Sequence, residues 1–139
     1  MGIQQAILGH VVLNVRNLEQ SEEFYQDILG MMVSARNPIT RMSFLSFGHE
    51  HHDIALAELP ARAKRISGEE FPGMHHFCVY VRTPEEVDAI VPHLKKKGIP
   101  IVSGPENLEV AGNRSVSFLD PDGNRLEVAC NANKFEGKV

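Results

Sequence analysis

Two stretches of this chain read alike, and that repetition limits the fold more than any other feature. Residues 9–15, Gly-His-Val-Val-Leu-Asn-Val, and residues 75–81, His-His-Phe-Cys-Val-Tyr-Val, each read as a strand entered through a histidine. A helix signal follows each strand. The first begins near Asn17, with Gln20 three residues on, carries an apolar stripe of Phe24, Tyr25, Ile28 and Leu29, and stops at Gly30. The second begins at Thr83, with Pro84 and Glu86 completing a start signal, and carries Val87, Ile90, Val91 and Leu94. Lys95 to Lys97 suit its final turn, where cations oppose the helix dipole, and Gly98 ends it.

Three short apolar segments follow each helix: 30–33, 42–47 and 54–59 in the first half, and 99–102, 115–119 and 126–130 in the second. Asp120-Pro121-Asp122-Gly123 is a turn signal between the last two. The expected fold is therefore α+β, with two βαβββ modules at about 7–59 and 74–130 and a charged linker from Pro60 to Gly73. Neither module has enough elements to close a core alone, so residues 1–139 are expected to form a single domain from the pair.

Composition narrows the function classes. Of 139 residues, 42% are hydrophobic and 23% charged, which is ordinary for a globular chain and argues against disorder. A net charge of −4 gives no broad basic surface for nucleic acid. No apolar run approaches a membrane span, and the first residues lack the basic start of a secretory signal. Cys78 and Cys130 read as buried free thiols, as in a reducing cytoplasm. The unusual count is seven histidines.

Strand alternation sorts these histidines. If Val11, Leu13 and Val15 cover the first helix, His10 faces the other way. If Phe77, Val79 and Val81 cover the second, His76 does too. In the last strand Glu127 joins the histidine face. His52, Ile54, Leu56 and Glu58 are expected on one face of the fourth strand, so His52 and Glu58 become further candidates. His10 and His76 lie 66 residues apart, and Glu58 and Glu127 lie 69 apart. A carboxylate on such a face is costly unless it is paired or binds a cation. Two imidazoles with one carboxylate suit non-haem iron(II); a second carboxylate suits zinc, nickel or manganese equally well.

These residues resemble the vicinal oxygen chelate superfamily, which includes glyoxalase I, bleomycin-resistance proteins and extradiol dioxygenases. The resemblance rests on Gly9-His10-Val11-Val12, Phe24-Tyr25 with Ile28-Leu29-Gly30-Met31, and Asp120-Pro121-Asp122-Gly123 with Leu126-Glu127. It runs from about residue 9 to residue 130. It implies that the paired modules form a cupped mixed sheet around one divalent metal.

Within the superfamily, His51-His52-Asp53-Ile54-Ala55-Leu56 and Met74-His75-His76-Phe77 look most like the catalytic half of extradiol ring-cleaving dioxygenases. That implies His10, His76 and Glu127 as ligands of Fe(II), and His52 as the acid–base that moves a substrate proton. The implied substrate is a catechol or vicinal diol, a small molecule with two adjacent oxygens, and the implied assembly is a homodimer. The chain departs from those dioxygenases between Glu106 and Leu119, which lacks their further histidine and their tyrosine. Glu58 resembles instead the fourth ligand of the glyoxalase and epimerase branch, which implies a lyase or isomerase using Zn, Ni or Mn. A drug-sequestering resistance protein is the third class, and the metal ligands argue against it. His49 and His51 are expected to be solvent-exposed in a hairpin turn, His75 to point away from the site by alternation, and His93 to lie on the surface off the stripe of the second helix; Arg36, Arg41, Arg62 and Arg65 are candidate holders of an anionic substrate.

Overall fold

The computed structural model describes residues 2–3, 6–60, 63 and 72–130. The chain divides into two compact units, Met1–Lys64 and Arg65–Val139. Among the described residues, each contains one helix and a four-stranded mixed sheet. Most of the linker, with Arg62 and Arg65, lies outside the described residues.

In the first unit, β1 (Val11–Val15) leads into α1 (Leu18–Leu29), then β2 (Met32–Asn37), β3 (Met42–Ser46) and β4 (Ile54–Glu58). The sheet order is β1-β4-β3-β2; β1 runs parallel to β4 and the other neighbours are antiparallel. Asn17 caps α1 by accepting the Gln20 N–H at 2.8 Å. Gly30 ends the helix at φ 66°, a left-handed geometry that costs glycine little. Leu18, Phe24, Tyr25 and Ile28 are buried, as are Leu13, Val15, Leu45, Ile54 and Leu56 of the sheet. Burying these side chains holds helix to sheet, at about 1.5–3 kcal/mol for each large apolar one.

The second unit repeats the order with β5 (Phe77–Val81), α2 (Pro84–Lys96), β6 (Ile101–Leu108), β7 (Asn113–Leu119) and β8 (Arg125–Cys130). Its sheet order is β5-β8-β7-β6, again with only the first pair parallel. Thr83 and Glu86 form a complete capping box: the Thr83 hydroxyl accepts the Glu86 N–H, and the Glu86 carboxylate accepts the Thr83 N–H at 3.0 Å. Val87 and Leu94 of α2 are buried, with Val116, Phe118, Leu126 and Val128 of the sheet. The β6 register slips between Ser103 and Glu106, where Gly104 sits at φ 80°. A side chain there would meet the Ser115 carbonyl, so glycine lets the two strands approach.

The cysteine expectation holds for one of two. Cys130 is buried, whereas Cys78 is exposed on β5, because its side chain lies on the sheet face opposite α2.

Candidate functional site

Register fixes which side chains share a face. In the first unit Val11, Leu13 and Val15 pair with Ile54, Leu56 and Glu58, and this face lies against α1. Val12, Phe44 and Ala55 form the opposite face. His52 precedes β4, and the chain bends at Asp53, whose carboxylate accepts the Phe47 N–H at 2.8 Å. That bend breaks the alternation. The His52 ring lies 5.0 Å from that of Phe44 and 4.4 Å from that of His10. His10 and His52 are thus together on the open face.

Glu58 goes the other way, which corrects the expected sharing of a face with His52. Its carboxylate accepts the Leu18 N–H at 2.9 Å and two N–H groups of Arg41 at 3.0 and 2.9 Å. It therefore occupies the start of α1, where a negative charge is favoured. Arg41 bonds Glu19 as well, and the Arg41 hydrogen bonds are the main reason that Glu58 ionises below the usual carboxylate range.

The repeat explains why Glu58 misleads. Val11↔Ile54 and Phe77↔Leu126 open the parallel pairings of the two units. The counterpart of Glu127 is therefore Ala55, 72 residues earlier, and the counterpart of Glu58 is Cys130. The 69-residue offset of the glutamates is three short of the true one, and an odd slip reverses the face of a strand.

In the second unit His76 and Glu127 meet: His76 Nε2 lies 3.0 Å from Glu127 Oε2. The Glu127 side chain is 13% exposed and that of His76 35%, so the carboxylate is sheltered while the imidazole can be reached. Cys78 stands opposite Glu127 in the register. Desolvation, then the Glu127 charge, push its thiol up to about 12. It stays protonated at neutral pH and is a poor nucleophile there.

Two histidines passed over in the sequence matter. His51 Nδ1 lies 2.8 Å from His52 Nδ1, and His75 Nδ1 lies 2.7 Å from His76 Nδ1. In each pair one nitrogen carries the shared hydrogen and the other accepts it. Each contact fixes a ring and leaves Nε2 of the site histidine for other work. The signal was the doubled histidine before each strand, where no strand geometry yet holds the first of the pair away. His52 is shifted towards its neutral form by desolvation and by nearby His10 and His51.

The arginine candidates resolve by their partners. Arg36 is spent on the buried Glu22, to which Ser43 also donates, and Arg41 on Glu58 and Glu19. Within neither unit, among the described residues, do three His, Cys, Asp or Glu side chains gather closely enough to hold a metal. His10 lies beside His52 in the first unit, and His76 beside Glu127 in the second. Among the described residues no helix is long and apolar enough to cross a membrane.

Two βαβββ units, each with a histidine at the entrance of its first strand, are those of the vicinal oxygen chelate fold. The profile of the Glyoxalase/Bleomycin resistance protein/Dioxygenase superfamily matches residues 7–128, and the chain belongs to that superfamily. It is 31% identical over 120 residues to human mitochondrial methylmalonyl-CoA epimerase, across 82% of this chain and 66% of the epimerase. It is 27% identical over 128 residues to a manganese-dependent 2,3-dihydroxybiphenyl 1,2-dioxygenase of Geobacillus genomosp. 3, across 92% of this chain and 38% of that enzyme. The chain thus spans well under half the length of the dioxygenase. The crystal structure of integron cassette protein HFX_CASS4, from the mobile metagenome of Halifax Harbour Sewage Outfall, matches with a TM-score of 0.71 at 28% identity, covering 92% of this chain and 99% of that one.

Proposed function

We propose that this chain is a metal-dependent enzyme acting on a small molecule with two adjacent oxygens, and that its reaction is extradiol-type dioxygenation of a catechol or vicinal diol. His10, His76 and Glu127 hold the metal, with Fe(II) or Mn(II) the best fit to two imidazoles and one carboxylate. The observation that carries this reading is the contrast between the two glutamates. Glu58 is neutralised by Arg41 and tied to the α1 backbone, whereas Glu127 meets only the neutral-capable His76. Among the described residues no arginine or lysine pairs with Glu127. A sheltered carboxylate beside an imidazole, with no fixed cation, suits a metal ligand.

The metal supplies Lewis acidity to the two substrate oxygens and a place for O₂. With only His10, His76 and Glu127 as protein ligands, room would be left beside the metal for both oxygens of a diol and a further small molecule. His52 takes the substrate proton and returns it. Its shift towards the neutral form suits it as a base near pH 7. His51 holds the His52 ring through Nδ1, and His75 does the same for His76. The substrate class and the manganese are named in a relative at 27% identity, which supports the reading.

An epimerase-like reaction is the second reading, favoured by the relative at 31% identity. There His10, His76 and Glu127 would hold the same metal, which would supply charge stabilisation, and His52 moves a proton without O₂. An oxygen-electrode trace separates the two. Protein loaded with iron(II) or manganese should consume O₂ when catechol is added, and Glu127→Gln should not. If loaded protein instead exchanges the proton beside a carbonyl with solvent deuterium and consumes no O₂, the dioxygenase reading is wrong and the epimerase reading stands.

A further inference from the structure

We infer that Arg125, Ser103 and Ser117 form an anion-holding subsite in the second unit, which selects substrates carrying a carboxylate away from their two adjacent oxygens. The inference rests on the diol-chelating reading for the position of the rest of the substrate.

Arg125 and Glu127 occupy one face of β8, two residues apart, or roughly 7 Å at the usual strand rise. Ser117 pairs with Glu127 in the register, and Ser103 pairs with Ser117, so both hydroxyls share that face. Opposite charges so placed normally turn towards each other. Here they do not. The Arg125 guanidinium leans along the sheet and donates from one terminal nitrogen to Ser103 Oγ at 3.3 Å and Ser117 Oγ at 3.4 Å.

Both bonds are long, and both acceptors are uncharged. Among the described residues no carboxylate pairs with Arg125. Its Nε is buried and has no hydrogen-bond partner among the described residues. The other such atom among the described residues, Asn113 Oδ1, is at the far end of β7. A buried guanidinium N–H with no acceptor is costly, and such groups in native proteins call for an explanation. The buried Nε shows that the guanidinium is held in a sheltered place without its full set of acceptors, and its terminal nitrogens are the ones an incoming oxyanion can meet: a carboxylate there replaces long bonds to neutral oxygens by charge-assisted ones, and the serine hydroxyls add donors. Arg36, Arg41 and Arg114, by contrast, already have carboxylate partners. The spacing of Arg125 from Glu127 on β8 would suit a diol whose acid group lies several bonds from its two oxygens.

The test uses metal-loaded full-length protein and three probes: 3,4-dihydroxyphenylacetate, 4-methylcatechol and phenylacetate. Affinities are read by calorimetry, with folding of each variant checked by melting without metal. Wild type should bind the acidic diol about tenfold or more tightly than 4-methylcatechol, the size of a charged hydrogen-bonded contact. Arg125→Met should bring that ratio close to one, and Arg125→Lys should restore part of it. A wild-type ratio near one, or an unchanged ratio in Arg125→Met, would overturn the subsite. If neither diol binds, the diol reading fails on its own. Phenylacetate then decides: stabilisation of wild type but not of Arg125→Met keeps the subsite, and no stabilisation of wild type removes it.

Discussion

Replacing Glu127 by Gln gives the sharpest contrast between a metal ligand and an ordinary sheet residue. Without metal, Glu127 makes one ion-pair contact, to a histidine that is 35% exposed. Pairs this open to solvent contribute about 0–1 kcal/mol. With metal, the expected loss is larger. A cation bound only by the folded state, at about 100 times its dissociation constant, stabilises by about 2.7 kcal/mol. For a chain of 139 residues, 1 kcal/mol moves the melting temperature by about 3–5 °C. Manganese should therefore raise the wild-type melting temperature by about 10 °C over chelator-treated protein. Glu127→Gln should remove nearly all of that rise and lower the metal-free melting temperature by less than about 5 °C. Glu58→Gln should keep the full metal-dependent rise. The assay is differential scanning calorimetry with and without chelator, beside elemental analysis. A full metal-dependent rise in Glu127→Gln, or its loss in Glu58→Gln, refutes the assignment of ligands.

Four further outcomes are expected. His52→Gln should keep bound metal and lose roughly 10²–10⁴-fold in turnover, the usual share of a general acid–base; loss of metal by elemental analysis would make His52 a ligand instead. Glu22 ionises below its ordinary 4.5, mainly through its hydrogen bonds from Arg36. Its folded form takes up a proton less readily than its unfolded form, so its contribution is complete above about pH 4.5 and is lost as pH falls through the lower folded value. Urea titrations from pH 6 downwards should show a shallower acid decline in Glu22→Gln than in wild type, and parallel curves would refute this. Phe118→Ala should cost about 3–5 kcal/mol, because the ring is fully buried between β7 and α2. Ile39→Ser, at a position 92% exposed, should stay within about 0.5 kcal/mol by the same urea titration.

The sequence carried the architecture because every element had a local signal. Capping residues, Gly30 and the apolar stripes mark both helices, and the Asp120 turn is held by two N–H groups, of Asp122 and Asn124, on one carboxylate oxygen. The pairing of His76 with Glu127 was legible because both follow strict alternation from well-formed strands. Glu58 was misread because the inserted residues between β5 and β8 made a six-residue difference look like three. His52 reaches the open face only through the bend at Asp53, and periodicity has no symbol for a bend. Arg125 drew no notice because a strand arginine normally finds a carboxylate, and only the fold shows that none pairs with this one among the described residues.

The sheet order has a consequence for when function can arise during synthesis. In each unit the first strand pairs with the last, β1 with β4 and β5 with β8. His76 therefore leaves the ribosome 51 residues before Glu127 does, and no intermediate strand can stand in for β8. Closing so long a loop has an entropic cost that only the finished sheet offsets, which makes this pairing a late event. A nascent chain holding β5 to β7 exposes a histidine pair and an unpaired strand edge, but no carboxylate beside them. On the proposed ligand set, a chain truncated before β8 would present His76 but lack Glu127, and so should bind no metal through the second unit.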